Sequence, residues 1–229
     1  MACRELKSMQ ITKEDFYKIR AESYQFDDQE AKVRYQNALN WLMLKEGTVI
    51  KEVGCKYAVL HDLLEQQTFN TDYVAIDIDD ATLRKIPKYN TEQFICHNVS
   101  NGMPFSDCST DYIFCLEVME HLDNPTAFLA EVKRVLKPNG KLIISVPNPY
   151  CWIEWVANMR KKKDTEGHIS SFTFGNVDAL LTFAGLRLSD MKGTYTRFPF
   201  SKRIFGRYII MKTNNMFLTR SFMFLIEKP

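Results

Sequence analysis

Short apolar runs alternate with longer amphipathic segments through most of this chain. The apolar runs are typical of buried strands and occupy about 48–53, 73–77, 94–97, 111–116 and 141–146. Between them, apolar residues recur at helical spacing over about 57–66, 79–85 and 125–136. Strands that alternate with helices predict βαβ crossovers, and therefore an α/β fold with a mainly parallel sheet and helices on both faces.

Both ends of the chain add further predicted elements. Helices are expected over about 13–45, where they either cover a pocket or simply pack on the core. Beyond the fifth strand we expect a helix over 173–184 that ends at Gly185. A sixth strand over about 186–194 and a last strand over 217–227 complete the pattern.

The segment after the first strand carries the first chemical signal. Glu52 and Gly54 end the strand in a tight turn before a helix, and the second strand closes on Asp77. A strand, a glycine turn and an acid at the end of the next strand are the geometry of a nucleoside cofactor site. Because Lys56 and Ala58 stand where further glycines would fall, a plain strand-to-helix turn is the alternative.

Polar residues gather where the predicted strands end. They are Glu52–Gly54, Asp77, Asn98, Glu117 and Pro147–Asn148. Ligands of open parallel sheets bind beyond the carboxyl ends of the strands. The pattern therefore favours a binding site along this edge over an ordinary α/β core.

Length and composition limit the class of protein. The 229 residues fit one large domain or a domain with a subdomain, and 45% hydrophobic with 25% charged residues is ordinary for a globular protein. No apolar run approaches the roughly 18 residues of a membrane span, and no signal peptide is expected. Six cysteines without a Cys-x-x-Cys pair favour reduced thiols in the cytoplasm.

Charge is divided unevenly along the chain. Residues 1–150 carry 17 Lys and Arg against 22 Asp and Glu, whereas residues 151–229 carry 13 against 6. The basic C-terminal third would attract an anionic substrate, a membrane surface or nucleic acid, or it is a solvated basic face.

An aromatic and basic segment follows the fifth strand. Trp152 and Trp155 precede Arg160–Lys163, a combination that fits nucleic-acid binding, a lid over a pocket or docking on another subunit. We favour the lid, because the segment leaves from the carboxyl end of a strand.

Three stretches carry extended motifs. They are Glu52–Cys55, Tyr73–Ile78, and the long stretch of Met103–Phe114, Glu117–Leu122 and Glu131–Gly140. Together they resemble the class I S-adenosylmethionine-dependent methyltransferases, in the branch that acts mostly on small molecules, over roughly residues 48–148. The segment Glu166–Thr173 resembles, more weakly, bacterial members of the family associated with sugars and surface polysaccharides.

This resemblance implies a Rossmann-like sheet of seven strands, with the last strand antiparallel and inserted beside the sixth. It implies S-adenosyl-L-methionine as cofactor and S-adenosyl-L-homocysteine as product. Asp77, followed by Ile78, would bind the ribose. The other implied cofactor-binding residues are Glu52, Gly54, Cys55 and Lys56 in the first motif, Asn98 and Val99 at the adenine, and Leu116 and Glu117 near the sulfonium.

The first motif departs from the family pattern of three glycines. Lys56 replaces the second, and we expect its side chain to reach solvent or the cofactor carboxylate while its amide faces the ligand. Ala58 replaces the third. Because a helix start does not need a positive φ, alanine is expected to fit there without backbone strain.

His121 and His168 are the candidate catalytic residues. Methyl transfer from a sulfonium needs mainly alignment, with a base if the acceptor is a hydroxyl. His121 lies one helical turn after Glu117, and either histidine is a base or a residue that packs or orients substrate. No metal is expected, since the sequence has no His-Glu-x-x-His motif and no paired cysteines.

We therefore predict one methyltransferase domain with an N-terminal helical cap over 1–46, a cofactor-binding core over 47–148, and a substrate-side insertion with C-terminal strands over 149–229. The expected acceptor is an oxygen or nitrogen of a small molecule or sugar derivative, anionic if the basic third serves it, with no nucleic-acid partner. An RNA-modifying methyltransferase and a non-catalytic binding protein of the same fold are the alternatives. No oligomeric state is predicted.

Overall fold

The computed structural model describes residues 12, 13, 15, 16, 19, 28–87, 89–198 and 201–229. Its strands are β1 (Thr48–Val53), β2 (Thr71–Asp77), β3 (Phe94–Cys96), β4 (Thr110–Leu116), β5 (Leu136–Pro147), β6 (Arg187–Gly193), β7 (Tyr195–Arg197), β8 (Ile210–Lys212) and β9 (Ser221–Glu227). Its helices are α1 (Gln29–Leu39), α2 (Val59–Leu64), α3 (Asp80–Leu83), α4 (Pro125–Val135), α5 (Trp152–Met159), α6 (Phe174–Ala184) and α7 (Ser201–Phe205).

Seven strands form one sheet in the order β3-β2-β1-β4-β5-β9-β6. The pairs from β3 to β5 are parallel, whereas β9 runs antiparallel to both β5 and β6. This arrangement confirms the predicted fold class, including the antiparallel last strand inserted beside the sixth. The strand order reverses between β1 and β4, and such a switch point is where open α/β sheets bind ligands.

The central strands are buried because helices cover both faces of the sheet. On one face, apolar residues of α4 and α6 pack together against the sheet, and the buried ones are Phe128, Leu129, Val132, Val135, Val177 and Leu181. On the other face, α1 and α2 contribute Ala31, Tyr35, Ala38, Leu60 and Leu64. The helical spacing of apolar residues in the sequence therefore corresponds to packing faces in the fold.

Several element boundaries differ from the sequence predictions. α2 spans 59–64 rather than 57–66, because the chain before it is still in the turn. β5 begins at Leu136, since this residue is fully buried and pairs with Thr110 before a register shift. β9 begins at Ser221, because the buried Asn148 amide donates to the carbonyls of Met216 and Thr219 and holds 216–219 outside the sheet.

Elements beyond the fifth strand include some that were not predicted. The aromatic segment after β5 forms helix α5, and β7 pairs with β8 in a separate two-stranded sheet. Parts of the predicted N-terminal helices, 14, 17, 18 and 20–27, lie outside the described residues. Within the described part of the chain, no helix is long and apolar enough to cross a membrane.

Candidate active site

A cavity of about 1980 Å³ lies along the carboxyl ends of the parallel strands. Residues at or just beyond the ends of β1 to β5 line it, namely Gly54, Asp77, Asn98, Glu117 and Asn148. Sites for drug-sized ligands usually enclose about 300–1,000 Å³. The cavity therefore has room for a nucleoside cofactor and an acceptor together.

Gly54 turns the chain from β1 into the cavity wall. Its φ is +79°, a left-handed conformation that favours glycine, and its amide donates to the Ile76 carbonyl at 2.8 Å. A Cβ atom at this position would lie 2.3 Å from Cγ2 of Val118. Conformation and space both require glycine here. Gly54 is therefore the one glycine of the three-glycine pattern that this sequence keeps, and the fold needs it.

Asp77 at the end of β2 is held by the turn that it faces. Its Oδ2 accepts from the Lys56 amide at 2.9 Å, and its Oδ1 accepts from the Asp79 amide at 3.1 Å. Burial raises the pKa of Asp77, although these backbone donors act in the opposite direction. Each carboxylate oxygen keeps a further lone pair with which to accept from a ribose hydroxyl.

Lys56 differs from its expected arrangement. Its amide donates to Asp77 rather than facing a ligand. Its Nζ lies 3.5 Å from Oδ2 of Asp28, the residue that caps α1. The side chain therefore joins the turn to α1 at the edge of the cavity.

The expectation that Ala58 avoids a positive φ is wrong. Ala58 has a φ of 58° and Lys56 a φ of 49°. Both replace family glycines, and left-handed conformations cost non-glycine residues about 1–3 kcal/mol each. The physical reason is that the chain winds from Gly54 to α2 through alternate left-handed residues, so the helix begins only after Ala58.

The predicted residues near the adenine and the sulfonium also line the cavity. Asn98 begins a short 3-10 turn, and its side chain accepts from the Ser100 amide at 2.9 Å. Glu117 has a φ of 56°, and its carboxylate accepts from the Ser145 hydroxyl at 2.7 Å. The remaining predicted residues in the wall are Cys55, Ile78, Val99 and Leu116.

Glu52 lies behind the wall rather than in it. It is fully buried, and its carboxylate accepts from the hydroxyls of Tyr35 and Tyr73. Burial raises the pKa of Glu52 to about 7, although both tyrosine hydrogen bonds lower it. Glu52 thus ties α1, β1 and β2 together beneath the turn and has no direct access to a ligand.

The two candidate catalytic histidines meet in the wall of the same cavity. The ring centroids of His121 and His168 are 4.9 Å apart, and both side chains line the cavity. Sequence reasoning missed the residue beside them. Glu120 lies against both rings and is 1% exposed, and burial together with the charge of Glu117 raises its pKa well above the usual range.

Arg34 of α1 is a second residue that sequence reasoning missed. Its Nη1 donates to the Tyr195 hydroxyl at 3.2 Å, whereas its buried Nε has no hydrogen-bond partner within the described ranges. Burial lowers the pKa of Arg34, but the charge of Glu117 and other neighbours outweighs that effect and raises it. A fixed cation therefore lines the cavity, a position that no local sequence pattern marks.

Residues 51–144 match the family described as "Methyltransferase domain". A Mycolicibacterium smegmatis protein named "Probable S-adenosylmethionine-dependent methyltransferase" is 26% identical over 149 residues, which are 65% of this chain and 56% of that protein. Residues 51–144 therefore form a methyltransferase domain of the class I S-adenosylmethionine-dependent type. The matched region coincides with the motif-bearing core, and S-adenosylmethionine is the cofactor that this type of domain implies.

Two further comparisons place the chain among known proteins. It is 32% identical over 102 residues to the ubiquinone biosynthesis O-methyltransferase of Rickettsia conorii, which are 43% of this chain and 35% of that protein. A chain of the Haloferax volcanii complex between the Trm112 methyltransferase activator and a methyltransferase superposes with a TM-score of 0.70. That likeness covers 95% of this chain and 98% of the other at 15% identity, and it shows the shared fold.

The chain spans about half the length or less of these curated relatives. The residues of this structure nevertheless fit the cofactor. Gly54 leaves the space that a Cβ would fill, and the Asp77 carboxylate faces the same cavity.

Proposed function

We propose that this protein transfers the methyl group of S-adenosylmethionine to an oxygen or nitrogen of a small molecule or sugar derivative. One observation carries the proposal. A continuous cavity joins the Gly54–Asp77 edge to the side chains of His121 and His168. A cofactor at the first position would direct its sulfonium toward polar groups that suit an acceptor.

In this proposal the cofactor lies across the carboxyl ends of β1 to β4. Asp77 binds the ribose hydroxyls, and Asn98 with Val99 contacts the adenine. Gly54 and Cys55 border the methionine part, with Leu116 and Glu117 beside the sulfonium. What supports this assignment is that these side chains or backbone positions line one cavity.

The chemistry requires alignment and the removal of one proton. The acceptor oxygen or nitrogen forms a bond to the methyl carbon while the carbon–sulfur bond breaks, and the electron pair stays on sulfur. The sulfonium thereby becomes the neutral thioether of S-adenosylhomocysteine. For a hydroxyl acceptor, an imidazole of His121 or His168 is positioned to accept the proton.

An anionic acceptor fits the charge of the cavity. Arg34 contributes a fixed cation, and Lys162, Lys163 and Arg207 line the cavity from the basic C-terminal third. Arg197 also lies there, but it is paired with Glu30, since its Nη2 donates to Oε2 at 2.8 Å. We therefore assign the other cations, rather than Arg197, to the anionic group of the acceptor.

The parts outside the core complete the cavity in this proposal. Lys13 of the N-terminal cap, residues 1–46, reaches the His121 carbonyl at 3.1 Å and Asp123 Oδ1 at 2.5 Å. Trp152 and Ile153 of the substrate-side region, residues 149–229, line the cavity from α5. Both regions would cover the acceptor, while residues 47–148 hold the cofactor.

The test combines binding with turnover. Calorimetry should give a micromolar dissociation constant for S-adenosylhomocysteine, about −8 kcal/mol. Isotopically labelled S-adenosylmethionine, offered with a panel of hydroxylated and amino compounds with and without anionic groups, should then label a small molecule. Failure to bind cofactor at millimolar concentration would support a non-catalytic protein of this fold instead.

The basic C-terminal third favours RNA as the second candidate acceptor. A gel-shift titration with total RNA distinguishes the two, because phosphate contacts make binding fall steeply as salt rises. We expect weak binding at low salt and no labelled RNA. Labelling of RNA in preference to every small molecule would replace our proposal.

A further inference from the structure

Glu120, His121 and His168 converge on one point of the cavity wall. Each offers one ligand atom, and these three atoms lie within 4.8 Å of one another. Glu120 and His121 belong to the 3-10 turn after β4, whereas His168 belongs to the loop before α6. Because His121 and His168 are 47 residues apart in the sequence, no metal-binding sequence motif indicates the cluster.

Both imidazoles have their Nδ1 atoms turned away from this point and close to an oxygen atom. Nδ1 of His121 lies 3.1 Å from the Gly167 carbonyl, and Nδ1 of His168 lies 3.0 Å from Oδ2 of Asp164. The Gly167 carbonyl can only accept, so Nδ1 of His121 carries a proton, and the Asp164 carboxylate favours the same arrangement at His168. In that tautomer Nε2 presents a lone pair. Metal-binding histidines in proteins are held in this way almost without exception.

The Nε2 atoms face the same carboxylate oxygen. Oε1 of Glu120 lies 4.0 Å from Nε2 of His121 and 3.9 Å from Nε2 of His168. These separations are too long for hydrogen bonds. Ligands of a tetrahedral cation, with bonds of about 2.0–2.1 Å, lie about 3.3 Å apart. Small side-chain movements would therefore close the three atoms around an ion.

The buried carboxylate of Glu120 also indicates a cation at this point. It is 1% exposed, and neither of its carboxylate oxygens has a hydrogen-bond partner in the described part of the chain. A buried carboxylate without a partner is costly, and proteins satisfy such groups by pairing them or by binding a metal. A cation between Glu120 and the two Nε2 atoms provides that partner.

The loop that carries His168 is fixed in place. The amides of Ile169 and Ser170 donate to the Glu120 carbonyl at 3.0 and 3.1 Å. Oδ1 of Asp164 accepts from the amides of Glu166 and Gly167 at 2.7 Å each. The two segments are thus held together by their backbones, so the three side chains meet without needing an ion to assemble them.

We propose that Glu120, His121 and His168 bind a divalent transition-metal ion of the zinc class. Two imidazoles and a carboxylate with an open fourth position form a ligand set typical of catalytic zinc sites. Oε2 of Glu166 lies 3.7 Å from Nε2 of His168, so this exposed carboxylate is an additional ligand or is displaced by the acceptor. The sequence analysis expected no metal because it looked only for ligands that lie close together in the sequence. This site combines ligands from two distant segments.

The role of the ion rests on the proposed methyltransferase function. A hydroxyl of the acceptor would occupy the open position, where a divalent cation lowers the pKa of a bound hydroxyl. Its proton passes to solvent water, and the oxygen then attacks the methyl carbon. The two histidines act as ligands in this case, so the ion replaces an imidazole as the group that activates the acceptor.

The experiment measures metal binding without requiring turnover. Chelator-treated full-length protein is titrated with Zn²⁺ by calorimetry and with Co²⁺ by visible spectroscopy. We expect one ion per chain, with d–d bands of low-symmetry Co²⁺. Glu120→Gln, His121→Ala and His168→Ala should each weaken Zn²⁺ binding at least about tenfold, and the triple variant should abolish the Co²⁺ bands.

Two matched variants sharpen the result. Asp164→Asn keeps an Oδ1 acceptor for the loop amides but removes the carboxylate from His168 Nδ1, and should weaken Zn²⁺ binding about 10–100-fold. His97→Gln removes an imidazole that bonds the Gly102 carbonyl at 2.7 Å, outside the cluster, and should leave Zn²⁺ binding unchanged.

Binding that persists in the triple variant would overturn the proposal, since it would assign the ion to other groups such as the exposed thiols of Cys96 and Cys108. No binding by the folded wild type would overturn it as well. S-adenosylhomocysteine binding is measured on the same samples. Cofactor binding without metal binding would reject the metal site alone, whereas the reverse would reject the methyltransferase proposal alone.

Discussion

The Lys56 amide donates to Oδ2 of Asp77 at 2.9 Å and so joins the turn after β1 to the end of β2. Two motifs that are separate in the sequence therefore form one structural unit. The acid that we assign to the ribose also holds the glycine turn in position. Because the Lys56 donor is a backbone amide, substitutions of Asp77 are the ones expected to affect both the turn and cofactor binding.

Asp77→Asn is expected to weaken S-adenosylhomocysteine binding by about 1–3 kcal/mol, the usual cost of losing hydrogen bonds to a charged group. Asparagine still offers one oxygen to the turn amides, so the fold should be retained. Calorimetry measures the affinity, with Asp72→Asn as the control because that side chain is 60% exposed. An unchanged dissociation constant in a folded Asp77 variant would refute the ribose assignment.

Gly54→Ala is expected to reduce the free energy of unfolding by about 2–4 kcal/mol. The new methyl group meets Val118 Cγ2 at 2.3 Å, and the left-handed φ adds backbone strain. Urea denaturation measures the loss. Adding Val118→Ala should restore part of it by removing the clash while leaving the strain. If the loss of unfolding free energy in the double variant equalled the sum of the losses in the two single variants, the close approach to Val118 would not be the cause.

Ala58→Gly should change stability and cofactor affinity little. Glycine relieves the left-handed strain, but the buried methyl, worth about 0.8 kcal/mol, is lost and the unfolded chain gains entropy. Ala58→Val should instead destabilise by more than about 2 kcal/mol, because a β-branched residue fits neither the φ nor the packed space. Equal stability of the glycine and valine variants would contradict the left-handed conformation.

Glu52→Gln should flatten the pH dependence of stability. The folded-state pKa of Glu52, about 7, lies above its unfolded value of 4.5. The folded protein therefore holds a proton that the unfolded chain releases, so this residue makes unfolding easier as pH rises from about 4.5 to 7. The effect amounts to about 3 kcal/mol across that window.

Urea denaturation at pH 5 and pH 8 compares the wild type with Glu52→Gln. The wild type should lose more stability on going to pH 8 than the variant does. Other acids contribute equally to both proteins and cancel in the difference. Identical losses in the two proteins would place the titration elsewhere.

The strand and helix pattern of the core was predictable because burial imposes a local period on the sequence. β1, β4 and α4 agree with prediction within one residue at each end. α5 was not predicted, because its two tryptophans and neighbouring apolar residues indicated a patch rather than a helical face. Residues 217–220 were predicted as the start of the last strand, because Asn148, which holds 216–219 outside the sheet, is about 70 residues distant in the sequence.

The sequence by itself determined the α/β class, the edge of the sheet where the cavity lies and the type of domain over 51–144, because strand-end glycines and acids lie within a few residues of the apolar runs that position them. Only the tertiary structure decided that Glu52 lies behind the wall, that Lys56 and Ala58 are left-handed, and that Arg34 enters the cavity. It also decided that Glu120 meets His121 and His168. The physical reason is that periodicity reports which face of an element is buried, whereas contacts between distant segments depend on how those faces pack.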